Sequence, residues 1–158
     1  GSPRIRTQET AYRVMLANED ITPDMSLEDI ESKVADEMGG VGKKMIEDER
    51  LNFSVSGVVF AAGEKAYAEG RYLEWIIKDS DSAAKESKDT GSTVYTRQAG
   101  NIAELCKRYM AVGGNFNKLV SKSDKYKDKG NQLERYLGTH QGVVESFVAK
   151  VLEKTKVD

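Results

Sequence analysis

Proline is absent after Pro23, and the two prolines present, Pro3 and Pro23, both sit near the start of the chain. Everything from Met25 onward is therefore free of the residue that most strongly forbids helix. Cysteine occurs once, at Cys106. That count excludes an internal disulfide and a cysteine-based zinc site, and it suits a reducing compartment, so a cytoplasmic location is expected. No stretch approaches the roughly 20 apolar residues that span a bilayer and no signal peptide is visible, so no membrane partner is expected. Gly1-Ser2 reads as a cloning scar. The chain also lacks a Gly-x-Gly-x-x-Gly turn between strand and helix, a Walker A loop and a His-Glu-x-x-His pair. With one histidine, His140, paired Glu-x-x-His motifs cannot occur either. These absences speak against an enzyme: no catalytic residue, metal site or cofactor is expected.

What is present is charge and helical periodicity. Of 158 residues, 32% are charged and 39% hydrophobic, which is too apolar for a disordered chain and suits a helical protein with much surface. The net charge of −2 excludes a uniformly basic nucleic-acid protein, but the charge is unevenly spread. Glu19 to Glu37 is acidic, whereas Lys118, Lys122, Lys125, Lys127 and Lys129 make a later stretch basic.

The segment 3–18 reads as a short N-terminal helix that buries Ile5, Ala11, Tyr12, Met15 and Leu16. Pro23 ends it, and Ser26 with Asp29 approximates a capping box for a helix starting near Leu27. Leu27, Ile30, Val34, Met38, Val41 and Met45 then recur in steps of three and four, the spacing of a coiled-coil seam. Val55, Val59, Ala62, Ala66, Leu73 and Ile76 carry the stripe on, giving a first long arm over 27–78. The alternation in Leu51-Asn-Phe-Ser-Val-Ser-Gly57 also suits a strand, although helix is the reading adopted. Residues 79–93 are polar and read as a loop, with Ser92 or Thr93 capping the next helix. From Tyr95 to Val151 one residue class returns every seventh position (Ile102, Tyr109, Phe116, Leu137, Val144), and a second series stands three residues later (Leu105, Val112, Leu119, His140, Phe147). This reads as a second long arm over 94–156.

The expectation is a single all-α domain over 3–158: a long antiparallel helical hairpin with coiled-coil-like packing plus a short N-terminal helix. Helices of this length carry apolar stripes on more than one side, so a homo-oligomer is expected. His140 and Cys106 fall in or beside the seam and read as packed residues.

The segment with most functional colour is Tyr67-Ala-Glu-Gly-Arg-Tyr-Leu-Glu-Trp-Ile-Ile-Lys78, which brings aromatic rings and cations together before a polar loop. Single strands of nucleic acid are held by stacking on rings and by cations along the backbone. Arg71, Tyr72, Trp75 and Lys78 are the candidate nucleic-acid-binding residues. A seam would also bury Leu73, Ile76 and one of Tyr72 or Trp75. Over residues 60–137, this aromatic and basic turn, the polar loop and the Thr93-Val-Tyr-Thr-Arg-Gln-Ala99 helix opening resemble the phage recombination mediator proteins of the UvsY type. The resemblance implies an oligomeric, single-stranded-DNA-binding protein without enzymatic activity. Of the basic pair the family carries in that turn, Arg71 matches one member, and Glu69 stands in place of the other. The second expectation is a protein–protein interaction module that binds a partner protein through an exposed stripe and no nucleic acid.

Overall fold

A computed structural model of the chain describes residues 1–15, 22, 24–37, 46–124, 126 and 136–155. The protein is all-helical: every regular element among the described residues is a helix. None of the described helices is long and apolar enough to cross a membrane. The seam positions Met38, Val41 and Met45, the basic positions Lys125, Lys127 and Lys129, and Leu16 lie outside the described residues.

Helix α1 (Ile5–Met15) packs on α2 (Leu27–Glu37). Its buried residues Ala11 and Tyr12 lie on the inner face, and the Tyr12 hydroxyl donates to Glu31 Oε1 at 3.3 Å. The start of α2 is the expected capping box. Asp29 N–H donates to Ser26 Oγ at 3.2 Å while Ser26 Oγ–H and N–H donate back to Asp29 Oδ2 at 2.6 and 3.2 Å.

The expected single arm over 27–78 is instead divided. A short 3₁₀ turn, Glu49–Leu51, is capped by Asp48, which accepts from Arg50 N–H, and residues 52–56 run extended without forming a sheet. The extended run follows its alternation: Leu51 is buried, Phe53 and Val55 pack inward, and Ser54 and Ser56 face out. Its backbone groups are satisfied by the loop before the long helix. Ser54 N–H donates to Thr93 Oγ1 at 2.7 Å, Thr93 N–H to Ser54 O at 2.7 Å, and Ser56 N–H to Ser92 Oγ at 3.1 Å. Helix α3 (Gly57–Ala68) stops because Gly70 takes a positive φ of 70°. Arg71 N–H closes on Ala66 O and Gly70 N–H on Tyr67 O, the bond pair of a Schellman ending, and α4 (Tyr72–Lys78) leaves in a new direction.

The expected loop over 79–93 contains a further helix, α5 (Ser80–Glu86). Its sequence looks like a loop because only Ser80 and Ala84 are buried on it, too few to show a period. Ser80 Oγ donates to Ile76 O at 2.6 Å and accepts Tyr95 N–H at 3.1 Å. Asp81 Oδ1 accepts Thr96 N–H at 3.0 Å. The N-terminus of α6 (Tyr95–Lys122) is thus capped from α5, while Ser92 and Thr93, the expected caps, hold the extended run.

The expected second arm over 94–156 is also divided: its described residues include α6 and, after it, α7 (Val143–Thr155). Helix α6 ends where Ser123 turns extended, and Gly142, with a positive φ of 92°, precedes α7. The two helices lie antiparallel. Tyr95 at the start of α6 donates to Glu153 near the end of α7 at 2.8 Å, and Leu105 packs with Val143 at the start of α7. Between those points the buried Gln98 accepts from Ser146 Oγ at 3.0 Å and donates to Thr93 O at 2.6 Å. Apolar clusters form around these elements. One joins Val59, Ala66, Trp75, Ile76, Ala84 and Val94; another joins Leu51, Ile102, Leu105 and Val143, and Phe53 packs against both.

Candidate functional site

Helix α4 and the residue before it, Arg71, carry the four residues expected to grip nucleic acid, and their environments differ. The Trp75 indole is 6% exposed and lies against Gly63 of α3, where a Cβ would come within 3.1 Å of the ring. Close approach of α3 and α4 therefore depends on that glycine, and the indole face is packed rather than open. The half-buried Tyr72 ring meets Phe53 edge-on at 5.9 Å and Tyr67 at 6.0 Å. Burial, followed by the carboxylates of Glu145 and Glu64, pushes its hydroxyl above the ordinary phenol range, so it stays protonated as a donor.

Both cations are exposed and already engaged. Arg71 forms an ion pair with Glu69 at 2.6 Å, and Lys78 pairs with Glu74 one turn earlier at 2.9 Å. Hydrogen bonding within each pair raises the Arg71 and Lys78 values and lowers those of Glu69 and Glu74. Exposed pairs of this kind are screened by solvent, so the carboxylates dilute the local positive charge more than they stabilise the fold.

On the other side of the Tyr72 ring a cleft of about 660 Å³ opens between α1, α3, α4 and the segment 136–142. The contacting rings of Phe53, Tyr67 and Tyr72 line it, Glu64 adds a carboxylate, and Arg6 and His140 line it as well. His140 does not sit in a helical seam. It lies half-buried outside any helix, bonded to Ser2 Oγ at 2.8 Å and, over a long 3.4 Å, to Arg6. Arg6 only donates, so His140 Nδ1 is the acceptor and its proton rests on Nε2. Burial first, then the positive charges of Arg6 and Arg4, hold the imidazole below its usual value. Cys106, expected to be half-covered beside the seam, is exposed, because Leu105 takes the buried position next to it. Among the described residues no group of three His, Cys, Asp or Glu side chains lies close enough to hold a metal ion.

A second surface lies on α7. Its inner face buries Val143 and Ser146, while Val144, Val148, Val151 and Leu152 are between 43% and 57% exposed. Their spacing of four, three and one places them on one side of the helix as an apolar ridge. Beside the ridge a shallow groove of about 280 Å³ runs between α6 and α7, floored by Ala99, Gly100 and Ala103 and edged by Phe147 and Val151. The heptad series contains Val144 and Val151, but as members of an internal seam. They belong to the outer face because α7 turns Val143 and Ser146 toward α6.

Comparisons with protein-family models, with characterised proteins and with solved structures found no match.

Proposed function

We propose that the chain is a non-enzymatic helical scaffold that self-associates through the outer face of α7, working as a protein–protein interaction module in a reducing compartment such as the cytoplasm. The observation that carries the reading is the ridge Val144–Val148–Val151–Leu152, four large apolar side chains left open on one face. Contiguous exposed apolar surface of this kind marks an association site.

A second copy is the occupant that fits. Val144 and Leu152 stand equally far from Val148 along the helix, so two α7 helices meeting antiparallel about Val148 set each Val144 opposite a Leu152. A two-fold interface requires self-complementarity of this kind. Four side chains per copy make a small contact, so the association is concentration-dependent.

The reading as a single-stranded-DNA-binding recombination mediator draws less support. Trp75 is packed in the core, and Arg71 and Lys78 already hold Glu69 and Glu74. Methyl NMR spectra recorded across a dilution series test the proposal. Concentration-dependent shifts confined to the valine and leucine methyls of α7 support it, and shifts that are absent or clustered elsewhere overturn it.

A further inference from the structure

The cleft beside α4 holds a pair of opposite charges that the fold does not use. Arg6 on α1 and Glu64 on α3 both line it, and among the described residues neither forms an ion pair, with each other or with any other group. Arg50, Arg71, Lys78 and Lys150, by contrast, are each within salt-bridge distance of a carboxylate. Arg6 is held only by its long hydrogen bond to a histidine kept neutral, so its charge remains available to an anion.

Three aromatic rings, Phe53, Tyr67 and Tyr72, line the same cleft. Phe53 and Tyr67 both meet Tyr72 edge-on, which fixes the three rings relative to one another, and Tyr67, the outermost, is 67% exposed. An aromatic ring this open, braced by its neighbours, offers a rigid stacking surface at little cost in side-chain entropy. A volume of about 660 Å³ lies within the range of small-molecule sites.

From this juxtaposition we infer that the cleft binds a nucleoside monophosphate with an amino-bearing base: the base stacks on Tyr67, its N–H edge donates to Glu64, and the phosphate pairs with Arg6. A flat ring with an anion at one end and an N–H donor at the other satisfies all three features. The inference is independent of association through α7, which lies on other residues.

Calorimetric titration of the full chain with AMP, adenosine and tryptophan tests it. Trp75, the single tryptophan and 6.1 Å from the Tyr72 ring, gives a second readout by fluorescence. AMP is expected to bind more tightly than adenosine, with only the AMP affinity falling as salt rises. Arg6→Ala, at an exposed position, weakens AMP about tenfold and leaves adenosine unchanged. Tyr67→Ala weakens both about tenfold. A 5′-phosphorylated adenine oligonucleotide binding more tightly than AMP assigns the cleft to the end of a strand; equal or weaker binding assigns it to the free nucleotide. The inference is overturned if AMP gives no heat, if its affinity ignores both substitutions while the variants keep the parent helical spectrum, or if tryptophan binds more tightly than AMP.

Discussion

Single residues decide how the N-terminal helix is held. Gly138 runs directly against α1: Ser2 N–H donates to Gly138 O at 2.9 Å, and a Cβ at Gly138 would lie 2.0 Å from the Thr7 carbonyl oxygen. Backbone cannot yield as a flexible side chain does, so Gly138→Ala is expected to cost about 1–3 kcal/mol and to loosen α1. The urea midpoint gives the first, and faster hydrogen exchange confined to α1 the second. His140, in the same contact, makes this region sensitive to pH. Its folded value lies below the ordinary 6.5, so the unfolded chain takes up a proton that the folded protein resists. That contribution to stability is complete above the unfolded value and is lost as pH falls through it toward the lower folded value. The urea midpoint should begin to drop as pH falls through the ordinary imidazole value of 6.5, and His140→Gln should flatten the drop. Little of this was legible in the chain itself. A glycine pressed against a distant carbonyl leaves no local pattern, and His140 falls on a heptad position by spacing although its segment is not helical.

At the scale of elements, the helix class and the start of α2 were readable because their causes are local: Ser26 and Asp29 cap, and long segments keep a helical period. The boundaries after Gly57 were not, because they depend on partners remote in sequence. Gly70 and Gly142 end the continuous stripe with positive φ, a conformation a helix cannot propagate and a periodicity count cannot see. The start of α6 shows the same dependence, since its caps come from Ser80 and Asp81 across the turn. Ser80→Ala removes the acceptor for Tyr95 N–H in a buried setting and should cost about 0.5–2 kcal/mol, whereas Ser92→Ala should leave the first turn of α6 intact. Amide protection at Tyr95 and Thr96 separates the two outcomes. The contact of α6 with α7 rests on Leu105, which is 1% exposed, and Leu105→Ala should cost about 2–5 kcal/mol in thermal or urea unfolding. The aromatic turn of α4 is legible in the sequence as a place where rings and cations gather. The fold assigns those rings to the core and to the cleft wall, and it pairs the cations locally, Lys78 along α4 and Arg71 within the turn before it.

Across the whole molecule, an antiparallel pair, α6 with α7, replaces one continuous arm, and this folding back leaves one apolar face of α7 outside. The same heptad that suggested a long internal seam therefore supplies two of the four residues, Val144 and Val151, of the ridge proposed to join two copies. Sedimentation velocity over a concentration series, on the parent chain and on Val148→Lys, tests that claim most directly. Val148 is exposed in the single chain, so the charge leaves the fold intact while placing two lysines face to face at the centre of the proposed contact. The account predicts that the parent moves from monomer to dimer as concentration rises and that Val148→Lys stays monomeric throughout. A parent that is monomeric at every concentration, or a dimer that Val148→Lys leaves unchanged, contradicts it.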